Sequence, residues 1–420
     1  MRVIHADMVA DAHRVISPGA ILLDGPRIVK VGSPQSVGTV AHASLESRPE
    51  ELILPGLINA HVHLDLTSLG PISCDEGFSK WLECIRAGRE TTDEGISNSV
   101  CRGVSASLAG GTVGVGDIGG AYSWVPVETL QDHPLLGFCA IEVFGTGLRQ
   151  QVGLEAIRSI IERCRSWPQR TDRVRPALSP HAPHSCDRSV FAAAAASGLP
   201  LATHLAETLE ELRFCRDGDG PLRDLLMAAG VWSEEIEPLG NHPLDAMDDL
   251  LAQGMWTIAH VNYPSSHQES AALRAARIAR LAEHDVSVAY CPRASRFFGH
   301  PAESQAGHPW RELLEAGVPV ALGTDGMPCL DTPDRLSILD EMRCLADEDS
   351  ASFEELIGMA TIHGARAVGI DPGLVGLDPG PIAGLISIPA VDRDPLRSIR
   401  AFRGRPQWVQ APEGVAVEKP

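Results

Sequence analysis

The sequence predicts an α/β fold: a closed (β/α)8 TIM-like barrel carrying a small β-sandwich built from both chain ends. Eight short apolar β runs recur along the 420 residues, and helical patterns separate most of them. The histidines and the aspartate that interrupt the apolar pattern stand at the C-terminal ends of those runs. In a barrel such ends converge on one mouth, whereas in an open doubly wound sheet, the competing reading, they would be strung along an edge.

The elements follow in chain order. Residues 3–4, 20–23 and 27–31 are short β runs broken by Gly and Pro, and Asp24-Gly25 reads as the hairpin turn between the last two. Residues 1–54 are therefore assigned to the small domain. The barrel, 55–374, takes its strands from runs at 53–63, 111–117, 135–144, 173–181, 199–204, 255–260, 286–291 and 318–325. Apolar residues at three- and four-residue spacing predict helices at 154–165, 209–229, 270–283 and 335–345. Beyond Gly376 the β character returns, with a strand at 384–388, so that 375–420 completes the small domain.

Composition narrows the function classes. Hydrophobic residues make up 44% and charged residues 21%, ample material for a core. A formal net charge of -20 argues against a nucleic-acid or anionic-membrane surface. No signal-peptide pattern opens the chain, and the longest bland apolar stretch, 189–203, is too short and too Ala-rich to span a bilayer. The 10 cysteines include no C-x-x-C pair, so neither a zinc ribbon nor a disulfide framework is indicated. A cytoplasmic location is the expectation.

The first barrel run, Leu54-Pro55-Gly56-Leu57-Ile58-Asn59-Ala60-His61-Val62-His63, ends in His-x-His. Period-two geometry puts both imidazoles on one face of the strand, toward the mouth. Two adjacent buried histidines are costly to desolvate unless they share a cation. His204 closes the fifth run, His260 the sixth and Asp325 the eighth. A lone histidine on an apolar strand is ordinarily a satisfied core residue. Four histidines and an aspartate at one end of one barrel are not explained that way. Three nitrogens and a carboxylate drawn from these five residues suit one divalent ion: zinc first, with iron chemically acceptable.

This pattern resembles the amidohydrolase superfamily, with His-x-His on strand 1, His on strands 5 and 6, and Asp on strand 8. The likeness runs from about Val3 to beyond Gly376, and 361–369 resembles the helix that precedes the family's C-terminal strands. The tail departs from the pattern: Gly380-Pro381-Ile382-Ala383-Gly384 stands where Gly, a basic residue, Ala and Asp are usual. Binuclear members bridge their metals with a carboxylated lysine on strand 4. Lysine occurs here only as Lys30, Lys80 and Lys419, so the resemblance implies a one-metal site.

Glu207, three residues after His204, is similar to the His-x-x-Glu of the family's nucleoside and nucleobase deaminases. The plain alternative is a carboxylate at a helix start, and both can hold together. The resemblance implies hydrolytic deamination of an aromatic nitrogen ring, with three catalytic residues. Asp325 accepts a proton from the attacking water, His260 positions the attacking oxygen, and Glu207 protonates the ring nitrogen. The other zinc deaminase pattern, H-x-E with P-C-x-x-C, is absent.

Several loop phrases look like one branch of that superfamily, the aminodeoxyfutalosine deaminases of menaquinone biosynthesis. They are Leu64-Asp65-Leu66-Thr67-Ser68-Leu69 with Phe78-Ser79-Lys80-Trp81, Gly220-Pro221-Leu222-Arg223-Asp224, and Cys291-Pro292-Arg293-Ala294-Ser295-Arg296-Phe297-Phe298-Gly299-His300. A departure is Gly326-Met327-Pro328-Cys329, where a Ser-Leu-Ala-Ser-like loop is usual. The branch implies a substrate with an adenine, a ribose and a benzoate. Trp81, Phe297 and Phe298 would supply the adenine slot. Arg149, Arg293 or Arg296 would fork the carboxylate. His181 and His184 would contact substrate, hydrogen bonding of their own loop being the alternative. Deamination of adenosine or S-adenosylhomocysteine, guanine, cytosine or an s-triazine shares the same metal chemistry. A metal-binding protein without catalysis is the reading from another class, and the joint presence of Glu207, His260 and Asp325 argues against it. The expected partners are a small-molecule substrate and a second copy in a homodimer, with no nucleic acid and no membrane.

Overall fold

The computed structural model describes residues 1–167, 173–266, 269–301 and 307–415. Both chain ends meet in one mixed sheet. Its strands, in spatial order, are Gly380–Pro381, Arg27–Gly32, Gly19–Asp24, Arg2–Ala10, Ser44–Pro55, Leu385–Pro389 and Gln407–Gln410, with Val15–Ile16 paired to the fourth. The expected hairpin is present: Asp24 pairs with Arg27, and Gly25 takes a φ of 56° that a side-chain-bearing residue would resist. The sequence's first β run is longer than expected and changes character along its length. Ile4 and Ala6 face the small-domain core with Ile21, Leu23 and Ile28. After a bulge between Ala6 and Met8, Met8 and Ala10 join Leu52 and Leu54 in the core around the barrel.

The barrel is an unbroken run of parallel neighbours among the described residues. Its strands are β1 (Leu57–His63), β2 (Thr112–Ala121), β3 (Leu136–Val143), β4 (Val174–Pro180), β5 (Leu201–Leu205), β6 (Trp256–His260) and β7 (Val286–Tyr290). The last strand, β8, comes in two halves: Val320–Leu322 pairs with β7, and Asp325–Gly326 pairs with β1, which brings the sheet round. The split has a physical cause. A Cβ on Gly323 would lie 2.8 Å from the His61 Cβ and 2.9 Å from the Cys291 sulfur, so the chain can pass there only as glycine. Asn59 then clips β1 to β8, taking the Thr324 amide at 3.0 Å and giving its own amide to the Thr324 hydroxyl at 2.7 Å.

Two expectations need adjusting. The apolar run 53–63 belongs to two elements, because the chain leaves the small sheet at Pro55 and enters the barrel at Leu57. The helix expected over 209–229 is two helices, Leu209–Asp217 and Pro221–Ala228: Gly218 ends the first in a left-handed conformation and Pro221 opens the second. The helices over 154–165, 270–283 and 335–345 appear as Gln150–Arg165, Ala271–Glu283 and Ile338–Glu348. Inside the barrel the strands turn small residues inward, with Ala140, Ala177, Ala202, Ala289 and Ala321 packed round Phe138. The segment Gly364–Ala367 joins this core through Ala365 and Ala367, tied to β6 where the Thr257 hydroxyl donates to the Ala367 carbonyl at 2.7 Å. No described helix is long and apolar enough to cross a membrane.

Candidate active site

At the C-terminal end of the barrel, strand geometry gathers the ionisable groups. His61 and His63 end β1, His204 lies one residue before the end of β5, His260 ends β6, and Asp325 opens the second half of β8. The backbone departs from extended geometry at these ends. Ala206, His260, Val261 and Asp325 have φ of 53°, 72°, 55° and 60°, a left-handed region that non-glycine residues avoid unless their surroundings hold them there.

The spacings are those of a ligand shell. His63 Nε2 lies 3.3 Å from His204 Nε2 and 3.5 Å from Asp325 Oδ1, and His61 Nε2 lies 3.9 Å from that same oxygen. Ligand atoms set about 2.05 Å from a tetrahedral ion stand about 3.3 Å apart, the spacing that His63 Nε2 and His204 Nε2 show. His61 Nε2 and His260 Nε2 are buried without a hydrogen-bond partner. Burial holds His61, His63 and His260 well below the ordinary histidine pKa, their histidine neighbours adding to it, so each is a neutral donor as metal binding requires. His204 Nδ1 lies 3.0 Å from the His181 carbonyl, which fixes Nε2 as the free nitrogen. Asp325 Oδ1 accepts the Gly326 amide at 2.7 Å. The donor set fits one divalent ion held by His61, His63, His204 and Asp325.

Glu207 stands beside this shell. Its Oε1 lies 3.6 Å from His260 Nε2, and the carboxyl is nearly enclosed. Burial, followed by the charges of Asp325, Glu211 and Glu210, pushes its pKa well above the usual carboxylate range. The site thus sets a carboxyl biased toward its protonated form beside a neutral imidazole, which is the equipment for moving one proton. The His260 carbonyl lies 2.7 Å from His308 Nε2, so His260 is anchored through its backbone.

Around the mouth the other expected residues fall into two groups. Trp81 and Phe298 meet edge to face at 4.9 Å, with Phe78 5.2 Å from Phe298 and Phe297 4.9 Å from it, making one aromatic wall. His181 follows β4, its ring 4.9 Å from that of His204, with Nδ1 2.6 Å from the Ser185 hydroxyl. His184 is buried against His181, and its pKa is pulled down to about 3 by burial and by His204. The arginines do not gather there. Arg149 is exposed on the short turn Gly147–Arg149, Arg296 is exposed and paired with Glu348 at 3.0 Å, and Arg293 is buried among Asp331, Asp340 and Glu341.

Several further groups were not among the expected site residues. Arg89, at the end of the helix Phe78–Gly88, bridges Asp65 at 2.8 Å and Glu142 at 3.0 Å, and Glu142 in turn lies 3.9 Å from His181 Nε2. Asp117 on β2 accepts the Leu64 amide at 2.9 Å, and burial pushes its pKa up to about 7. Acids inside the apolar runs of β2 and β3 were a visible signal for Asp117 and Glu142; nothing local marks Arg89.

Comparison with known proteins agrees with this geometry. A model of the amidohydrolase family matches residues 52–413. A 5'-deoxyadenosine deaminase from Methanothermobacter thermautotrophicus is 26% identical over 396 residues, 88% of this chain and 81% of that protein. An aminodeoxyfutalosine deaminase from Deinococcus radiodurans is 30% identical over 343 residues, covering 75% and 73%. Among solved structures, an aminofutalosine deaminase from Helicobacter pylori in complex with methylthio-coformycin superposes with a TM-score of 0.76 at 20% identity, over 97% of this chain and 98% of that one. At that identity the likeness carries the fold.

Proposed function

The chain belongs to the amidohydrolase family and is a hydrolytic enzyme, and from that premise we propose that it removes the exocyclic amino group of an adenine-type nucleoside, using one divalent ion, zinc. The observation that carries this reading is the buried carboxyl of Glu207, 3.6 Å from His260, which itself clusters with His61 and His204 beside the His61, His63 and Asp325 group. An amide hydrolase of the same fold has no ring nitrogen for such an acid to serve.

When bound by His61, His63, His204 and Asp325, the ion supplies Lewis-acid activation of water at neutral pH. The residues do the rest. Asp325 takes a proton from the attacking water at its free carboxylate oxygen. His260 orients the attacking oxygen through Nε2. Glu207 gives its proton to the ring nitrogen beside the amino-bearing carbon, so that attack creates no unsupported anion. Asp325 passes its proton to the amino group, which leaves as ammonia as the C–N bond breaks, and the remaining proton of the attacking oxygen returns to Glu207 as that oxygen becomes the ring carbonyl.

For the substrate we propose 6-amino-6-deoxyfutalosine, in menaquinone biosynthesis. The loop phrases around Trp81 and Phe298 and the Deinococcus radiodurans relative support it. In this reading Trp81 and Phe298 flank the adenine, His181 and His184 contact the substrate, and Arg149 meets the benzoate, or Arg296 after leaving Glu348. The engagement of Arg296 favours a second substrate with no carboxylate, 5'-deoxyadenosine, the one named for the Methanothermobacter thermautotrophicus relative. A panel of adenine nucleosides, read by ammonia release and by the ultraviolet shift on deamination, decides between them. The expected result is turnover that chelation abolishes and zinc restores, highest with 6-amino-6-deoxyfutalosine. A zinc-loaded protein inert toward the whole panel would overturn the reading.

A further inference from the structure

Glu211 is a fully buried carboxylate that the chemistry above does not use. It occupies the third position of the helix Leu209–Asp217, whose N-cap is Thr208. A glutamate there ordinarily reaches back to the N-cap amide and completes a capping box. Here the Thr208 hydroxyl does its half, accepting the Glu211 amide at 3.1 Å, but the carboxylate goes elsewhere. One oxygen accepts the Ala206 amide at 3.0 Å, and the other accepts the Glu207 amide at 2.8 Å.

We propose that Glu211 is a positioning residue: it holds the peptide that carries Glu207 so that the Glu207 carboxyl meets the ring nitrogen of the substrate. This rests on the deaminase reading of the site. The peptide needs holding, because Ala206 sits at a φ of 53°, a left-handed conformation that non-glycine residues avoid unless their surroundings hold them there. The grip is two-sided. Asn262 donates its side-chain amide to the Glu207 carbonyl at 3.0 Å and is itself fixed by the Ser295 hydroxyl at 3.1 Å. The Ala206 carbonyl accepts the Tyr263 amide at 3.0 Å. Glu211 supplies the acceptors on the amide side, and a carboxylate is suited to it because both of its oxygens accept. Glutamine offers one acceptor and would turn an N–H toward the other amide.

The test is Glu211→Gln, with Glu211→Asp beside it, in the zinc-loaded enzyme with the best substrate of the panel. A displacement of about 1 Å at a reacting group costs on the order of 100-fold in rate. The expected result is a kcat lower by about 30- to 100-fold, with KM within about 3-fold and zinc content unchanged. Because Glu211 acts through Glu207, adding Glu211→Gln to Glu207→Gln should lower kcat by less than about 3-fold more. A purely structural role would leave the two losses multiplying, and that outcome, or a kcat for Glu211→Gln within about 3-fold of wild type, overturns the proposal. If Glu211→Gln does not fold, Glu211→Asp must show the same split between kcat and KM. Should the wild-type enzyme be inert on the panel, the deaminase reading is what has failed. Amide exchange then decides the clamp: faster exchange at Ala206 and Glu207 in the variant supports it, and unchanged exchange removes it.

Discussion

Replacing Glu207 by Gln keeps the volume of the side chain and one hydrogen-bond donor but removes the transferable proton. The structure sets the size of the effect. Glu207 is nearly enclosed, its nearest ionisable partner is His260 at 3.6 Å, and no arginine or lysine is paired with it among the described residues. No neighbouring acid is placed to take over, since Glu211 is committed to backbone amides and Asp325 to the ligand shell. General acid catalysis contributes about 10²- to 10⁴-fold. The middle of that range, about 10³-fold in kcat or about 4 kcal/mol of barrier, is the expected loss, with KM changed by less than about 5-fold because glutamine still donates to the ring nitrogen. The pH profile gives a second readout. Burial and the nearby carboxylates raise the Glu207 pKa, which favours the protonated, donating form. As pH rises through that elevated value the donor is lost, so wild-type kcat should fall on the alkaline side. The variant should lack that limb. Initial rates of deamination measured from neutral pH upward read both quantities. A variant within about tenfold of wild type, or one that keeps the same alkaline limb, would refute the reasoning.

Two further outcomes follow from the packing. The buried Arg277 guanidinium is bound by Asp245 and Glu269 and by the Pro264 carbonyl at 3.0 Å, so Arg277→Met should cost about 3 kcal/mol in urea unfolding at neutral pH. Hydrogen bonding to Arg277 holds the Glu269 carboxyl down to about 2, so its contribution is complete above the ordinary glutamate value of 4.5 and is lost as pH falls toward 2. The wild-type acid limb should therefore be steeper than that of the variant across that window, and equal slopes would contradict the assignment. At the mouth, Phe298→Ala opens the aromatic wall it shares with Trp81 and Phe78. The expected change is a KM about 10-fold higher with kcat nearly unchanged, in line with one lost base-stacking contact; steady-state kinetics with the best nucleoside checks it.

Much of this architecture is written locally. His63, His204 and His260 stand at or next to the ends of short, mainly apolar runs, and period-two alternation is enough to align His61 with His63. The Asp24-Gly25 turn and the small-domain strands on both sides of the barrel follow from Gly and Pro placement in the same way. What lies beyond local pattern is set by contacts between distant strands. The break in β8 comes from Gly323 passing against His61, a neighbour far away in sequence. The left-handed turns at His260, Val261 and Asp325 carry no glycine to announce them. The Arg89 bridge between Asp65 and Glu142 joins three segments that only the closed barrel brings together. Arg296 reads as a loop arginine near the mouth, yet its guanidinium finds Glu348 on a neighbouring helix. Glu211 looks like an ordinary cap in T-x-x-E, and only the observed bonds show the carboxylate turned toward Ala206 and Glu207.

Metal content coupled to its location tests the whole account most directly. Elemental analysis of the purified enzyme, followed by diffraction at the zinc absorption edge, should find one ion per chain, about 2.0–2.2 Å from Nε2 of His61, His63 and His204 and from an Asp325 oxygen. Protein that binds no transition metal after zinc loading, or an ion that sits away from these four side chains, would contradict it.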